Sequence, residues 1–267
     1  MSRLGTALAH ELRLCGVALQ FLTRLPVPAW VGYEPMWLNR AVRYFPWVGA
    51  LVGAAGAMVA CAAQLIWSPL VAATLAVAAT LWLTAAFHED GLADTCDALL
   101  GTASRERALA IMKDSRIGSY GAAALILSLL LRVLLLAELL AHDVLLGAAA
   151  CVAAHAAGRA AAVVLMALLP YAGDEAHAKA KPLARDVRGI DTAWACAGGA
   201  LLLALAAAWA PSAVIAGGMA IGGLILLIAV LRAWLRRRLG GYTGDTLGAA
   251  EQCGEVLVLL ALASGLQ

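Results

Sequence analysis

SYGAAALILSLLLRVLLLAELLAHDVLLGAAACVAAHAAGRAAAVVLMALL, residues 119–169, holds two long apolar stretches parted only by His142 and Asp143. A helix needs about 20 mostly apolar residues to cross hydrocarbon, and 119–141 and 144–169 both meet that length. Outward from this pair, 45–67, 69–87, 192–210 and 212–231 qualify as well. A run from Val256 to Ala263 is too short to cross alone and reads as a half-helix, or as the end of a helix starting near Asp245. The expected fold is therefore all-α: a polytopic helical membrane protein of six full spans plus a short C-terminal helix. The whole chain, 1–267, reads as one integral membrane domain, with 1–44 a cytoplasmic or interfacial segment.

Composition agrees. Of the 267 residues, 63% are hydrophobic and 13% charged, with a net charge of +2; mean hydropathy is +0.87. Soluble domains carry about 25% charged residues. Disorder, a nucleic-acid-binding domain with a large basic surface, and most soluble enzymes are excluded.

The basic residues orient the spans. Lys and Arg number five in 1–44 and four each in 88–118, 170–191 and 232–254, while residues 68, 142–143 and 211 contribute none. All the basic loops fall on one face, which the positive-inside rule makes cytoplasmic. The chain is thus expected in the cytoplasmic (inner) membrane, multi-pass, with its N-terminus and catalytic loops cytoplasmic. Leu4, Leu8, Leu12, Cys15, Leu19 and Leu22 recur at helical spacing before Pro26 and Pro28. They suggest an interfacial helix on the membrane surface. Glu11 and Arg13 break any secretory signal pattern. The six cysteines are scattered without a CxxC pair and suggest neither disulfides nor metal ligation. Gly218 and Gly222 form a GxxxG, suited to internal packing or to oligomerisation.

The densest polar segment is FHEDGLADTCD, 87–97. Asp90, Asp94 and Asp97, at i, i+4 and i+7, fall within a stripe about 60° wide and about 10 Å long. Three carboxylates this close repel, and at the membrane edge each is costly to desolvate. A divalent cation resolves both difficulties, and oxygen-only ligands favour Mg²⁺. A solvated acidic helix end, or pairing with Arg105 and Arg107, is the plainer account. KDSRIGSYG, 113–121, adds Lys113, Asp114 and Arg116, with Gly118 and Gly121 letting backbone N–H groups approach a phosphate. GGYTGDTLGAAEQCGE, 240–255, places Asp245, Glu251 and Glu255 as a second acidic wall or as a helix cap with surface acids. Arg159, with His155 one turn away inside the fourth span, is a candidate partner for an anionic substrate group, or structurally for a carbonyl or Glu138. Arg132 has no second polar group among its sequence neighbours. The loop 177–189 offers His177, Lys179, Lys181, Arg185 and Arg188 for phosphate recruitment or for topology.

These segments, with FLTRLPVP (21–28), FPWVGALVG (45–53), Gly158–Arg159 and GGYTGDTLGA (240–249), resemble cobalamin synthase, the adenosylcobinamide-GDP ribazoletransferase family, over nearly the whole length. Glu89 and Glu251 do not carry the resemblance; Glu255 does. The resemblance implies the final step of nucleotide-loop assembly in cobalamin biosynthesis. Adenosylcobinamide-GDP and α-ribazole, or its 5′-phosphate, would be joined with release of GMP by a Mg²⁺-dependent membrane transferase. On that basis the metal ligands are expected to be Asp90, Asp94 and Asp97. Lys113, Asp114, Arg116, Gly118 and Arg159 would hold substrate, and Asp97, Asp245 and Glu255 are the catalytic carboxylates, with Asp97 or Asp245 taking the hydroxyl proton. Membrane lipid surrounds the protein and no nucleic acid is involved. Homo-oligomers and association with other nucleotide-loop enzymes stay open. The rivals are a CDP-alcohol type lipid phosphotransferase and, more weakly, a transporter.

Overall fold

The computed structural model describes residues 3–173 and 184–266. Within them all regular structure is helical: α1 (Arg3–Leu22), α2 (Pro35–Ala41), α3 (Phe45–Ala63), α4 (Pro69–Leu83), α5 (Phe87–Leu99), α6 (Arg105–Ile111), α7 (Ser119–His142), α8 (Val144–Leu168), α9 (Gly189–Ala207), α10 (Ala213–Arg238) and α11 (Gly244–Ser264). The one β-bridge, Tyr171 to Tyr242, ties the end of α8 to the α10–α11 connection. His177, Lys179 and Lys181 lie outside the described residues.

Among the described residues six helical runs are long and apolar enough to cross a membrane, Pro35–Ala63, α7, α8, α9, α10 and α11, and the bent pair α4–α5 makes seven when taken as one span. This is a multi-pass membrane protein. All six expected spans are found as helices, α4 with α5 counting as one bent crossing and α11 as a further one, and the structure differs from the sequence reading in two places. The expected span 69–87 is a 15-residue helix, α4, that turns by 88° into α5. The run 256–263 is the end of a helix starting near Asp245, the second of the two expected readings, and that helix, α11, is 21 residues long and not short. It begins one residue before Asp245, where a Thr243–Thr246 capping box satisfies its first amides; such reciprocal caps fix a helix start. The polar letters of 245–255 hide its length, because they lie inside the protein and not in lipid.

The short connections 64–68, 143 and 208–212 contain no Lys or Arg, and the basic loops all meet at the opposite end. Exposed tryptophans mark both ends: Trp67 and Trp209 at the first, Trp47, Trp82 and Trp194 at the second. Indole rings favour the two membrane–water boundaries. α8 and α11 form the buried centre, and α10 shows most of its surface outward. Small residues bring the inner helices together, as membrane packing requires when lipid is as apolar as leucine. A methyl group at Gly53 of α3 would lie 2.6 Å from the Cys151 carbonyl oxygen of α8. Gly218 and Gly222 meet nothing within 4 Å, so their GxxxG does not serve internal packing.

α1 buries Leu14, Val17, Ala18 and Leu22 and leaves Leu8 and Leu12 exposed. Leu8, Leu12 and Cys15 of the expected stripe thus face outward while Leu22 turns in, and a second apolar face holds the helix to the bundle. Glu11 anchors the same edge, accepting from the Tyr44 hydroxyl at 2.7 Å and pairing with Arg43 at 3.3 Å. Arg43 also pairs with buried Asp191 at the start of α9.

Candidate active site

α5 begins at an elbow. Ala85 and Ala86 both adopt left-handed backbone, φ 56° and 55°, a conformation that costs a non-glycine residue about 1–2 kcal/mol. Surrounding bonds hold it: the amides of Ala85, Ala86 and Phe87 reach back to Trp82, Leu81 and Thr84, and Arg24 N–H from the end of α1 donates to Leu83. Past the elbow, successive residues of α5 point to opposite environments. Glu89 is buried and Asp90 is exposed, because one residue of helix is about 100° of rotation.

The inward face joins an ionic network among the spans. Arg132 of α7 pairs with Glu89 at 2.8 Å and with Glu255 at 3.0 Å, and donates to Gln252 at 2.9 Å. Arg159 of α8 pairs with Glu251 at 2.5 Å and with Glu255 at 3.4 Å, and donates to the His155 carbonyl at 2.8 Å. His155 contacts Glu255 through Nδ1. Ligand atoms of His155, Glu251 and Glu255 all lie within 4.8 Å of one another. A divalent ion there would face two arginines already on the same oxygens, so the trio reads as part of an ion-pair network.

Several expectations change here. Arg132 does have polar partners, contributed by α5 and α11 and so invisible in its sequence surroundings. Arg159 donates to a carbonyl, that of His155, as the structural alternative expected, and its acidic partners are Glu251 and Glu255, not Glu138. Glu255, expected among the catalytic carboxylates, is buried with these arginines, and Arg159, expected to hold substrate, is committed to the same network. Glu89, Glu251 and Gln252 were not singled out as members. The usable signal was that an intramembrane arginine demands an intramembrane acid, and 251 and 255 lie one turn apart on a helix longer than expected.

The outward face carries Asp90, half-buried Asp94 and half-buried Asp97. Asp97 accepts the Gly118 amide at 2.7 Å and the Gly121 amide at 2.8 Å. It therefore caps α7 from another helix, a carboxylate on the positive end of a helix dipole. Any side chain at Gly118 or Gly121 would collide with this carboxylate. The glycines of KDSRIGSYG thus receive Asp97, and the Gly118 N–H, expected to face a phosphate, is already donated. Arg105 donates to the carbonyls of Leu239 at 2.7 Å and Ala172 at 3.1 Å. Arg116 chelates Asp114, with Nε bonds of 2.9 and 3.1 Å. The Arg116 guanidinium draws the Asp114 carboxyl down to about 2.

The two acidic segments do meet. A methyl group at Gly91 would lie 3.0 Å from the Asp245 Cα, and one at Gly248 3.2 Å from the His88 Cα. The first turn of α11 therefore lies directly on α5, one residue from Asp90. Arg105 holds the α6 start to the α10–α11 turn, and Arg238 reaches the Gly101 carbonyl at 2.9 Å to hold the end of α5. The structure thus brings Asp90, Asp94, Asp97, Asp245 and the 113–121 loop to one end of the bundle, and takes Arg159 and Glu255 inward.

Comparison with known proteins decides the family. The family model described as cobalamin-5-phosphate synthase matches residues 15–263. The chain belongs to the cobalamin-5-phosphate synthase family. Members named adenosylcobinamide-GDP ribazoletransferase include one from Leptothrix cholodnii, 53% identical over 97% of this chain and 98% of that protein. Others come from Ralstonia nicotianae, 46% identical over 96% of both chains, and Shewanella amazonensis, 43% identical over 95% of both. None of these relatives is named a lipid phosphotransferase or a transporter. No solved structure matches the chain.

Proposed function

We propose that this protein is the adenosylcobinamide-GDP ribazoletransferase of nucleotide-loop assembly, acting at the cytoplasmic face of the inner membrane. The near-full-length relatives support the activity, and the gathering of basic loops at one end supports the orientation. The observation that carries the site is the meeting of α5 and α11, which sets Asp245 beside the Asp90–Asp94 stripe.

In the reaction a ribose hydroxyl oxygen of α-ribazole, or of its 5′-phosphate, attacks the phosphorus bonded to cobinamide. The bridging P–O bond of the diphosphate breaks, and GMP leaves with its electron pair. Asp245 is the proposed acceptor of the hydroxyl proton. It stands at the mouth of the site, whereas Glu255 is inside the ion-pair network. Asp97 acts as a positioning residue, fixing α5 against the start of α7 and with it the 113–118 loop. Lys113 and Arg116 supply positive charge toward the leaving nucleotide, and Asp114 holds the Arg116 fork in place.

The donor set suits Mg²⁺, which is commonly held by one or two carboxylates together with substrate phosphates. Asp90 and Asp94 are hard oxygen donors one helical turn apart, and Asp97, satisfied by two amides, is the weakest of the three expected ligands. Bound there, Mg²⁺ would neutralise charge on the diphosphate.

The test uses detergent-solubilised protein with adenosylcobinamide-GDP, α-ribazole and Mg²⁺, reading GMP and cobalamin together. Equal release of both, stopped by EDTA, is the expected result. GMP without cobalamin would mean hydrolysis and a wrong acceptor; neither product from folded protein would remove the reading.

A further inference from the structure

The FLTRLPVP segment has no role in the chemistry above, yet its first residues wall a groove beside the acidic stripe. The groove, about 420 Å³, runs between the end of α1 and the α4–α5 elbow, lined by Phe21, Thr23, Thr84, Phe87 and Asp90 with the two left-handed alanines at its base. That volume falls within the range of small-molecule sites. A second cavity behind Phe21 and Phe87, reaching His88 and Arg159, is about 30 Å³, room for a water and no more.

Two features define what the groove would accept. The chain has only three phenylalanines, and all three gather here. Phe21 stacks on Phe45 (5.7 Å, 13°) and meets Phe87 edge to face (5.7 Å, 82°), while Phe87 remains 41% exposed. The second feature is that the hydrogen-bond donors along the wall are spent. The amides of Thr23, Ala85, Ala86, Phe87 and Asp90 all donate to carbonyls. The Thr23 hydroxyl donates to Leu19 at 2.7 Å, and that of Thr84 to Thr80 at 3.1 Å. Guanine, with a carbonyl and a ring nitrogen that need donors, would leave acceptors unpaired in such a place, which is costly. A dimethylated benzimidazole has a single acceptor, its free ring nitrogen, which the open side of the groove leaves to water, and it gains a ring face.

Resting on the reaction assigned above, we propose that this groove is the subsite for the dimethylated benzimidazole ring of α-ribazole, stacked on Phe87 and closed by Phe21. Its ribose then leaves the groove at Asp90, on the stripe where the hydroxyl must meet the diphosphate. The strained elbow serves this placement, since it turns Phe87 and Asp90 away from the axis of α4 and against α1.

The experiment measures equilibrium binding of α-ribazole alone and of GMP alone to purified full-length protein by calorimetry, with KM for each substrate alongside. Phe87→Ala is expected to weaken α-ribazole binding roughly tenfold or more, the scale of one base–aromatic stack, and to raise its KM in step. GMP binding, KM for adenosylcobinamide-GDP and thermal stability stay unchanged. Phe87→Tyr should restore α-ribazole binding. Should Phe87→Ala not fold, Phe21→Leu is read in the same way. Weakened GMP binding with intact α-ribazole binding would assign the groove to the leaving nucleotide and overturn the proposal, as would no change in either from a folded variant. Wild-type protein that binds α-ribazole through Phe87 but makes no cobalamin would sink the reaction and leave the subsite standing.

Discussion

Glu89 and Asp90 are adjacent residues of one helix with opposite fates. Glu89 turns into the bundle and meets Arg132 at 2.8 Å; Asp90 turns out to a groove at the membrane edge. The inner carboxylates have cations built in from neighbouring spans, so their charges are balanced within the fold. The outer ones are fixed by backbone, Asp97 through two amides and Asp245 through close packing on Gly91. The inner set ties the spans to one another, whereas the outer set stands at the basic end of the bundle, where the reaction is proposed.

The hardest test of that division is Asp94→Asn, expected to lower turnover roughly 10³-fold or more, the scale of losing charge neutralisation on a transferred phosphoryl group. Membrane insertion and apparent Tm should not move. Retained activity would defeat the metal assignment. Arg132→Leu should do the reverse and act first on stability. An unpaired buried charge costs about 3–5 kcal/mol, to be read as a lower apparent Tm in detergent, and adding Glu89→Gln should recover part of it. A double variant no more stable than the single one would show that Glu89 does not depend on Arg132.

Gly121→Ala sharpens the role of Asp97. A Cβ there collides with the carboxylate, and displacing the cap by about 1 Å should cost roughly 10²-fold in kcat with little change in KM. A wild-type kcat would separate the cap from catalysis. Arg116→Ala should raise KM for the nucleotide donor severalfold and leave kcat nearly intact; an unchanged KM removes Arg116 from the site. The same change should let the Asp114 pKa rise from about 2 toward its ordinary 3.8, read by NMR titration. Because the native value is the depressed one, the stabilising contribution of the pair is complete above pH 3.8 and is lost as pH falls through about 2. The smallest effect belongs to Ala86→Gly. Relief of left-handed backbone exceeds the entropy cost of glycine by about 0.5–1 kcal/mol, a Tm rise of a few degrees.

What could be read from the letters divides along similar lines. Apolar length and the one-sided placement of Lys and Arg are additive signals, and they indicated a polytopic helical protein and the end carrying the basic loops. The spacing of Asp90, Asp94 and Asp97 indicated a shared stripe because helical rotation is local. The elbow was not legible: Ala85 and Ala86 are among the best helix formers, and bonds to the end of α4, braced by Arg24 just after α1, hold them left-handed. Partners of Arg132 come from residues 89, 252 and 255, far away in sequence. The glycines before α7 were correctly read as a place for close approach to an anion, but the anion on them is Asp97.

The right-angle elbow also makes α5 a lever. Its 13 residues span about 20 Å, so a change of about 5° at the pivot would carry the far end, where Asp97 sits, through roughly 1.7 Å. A lever of that length keeps its aim only if it is fastened along its length, and the fastenings include Asp97 to α7, Arg238 to the Gly101 carbonyl, Glu89 to Arg132, and Gly91 against α11. Loosening any one of them would disturb every aspartate on the arm at once, with the displacement growing toward the tip.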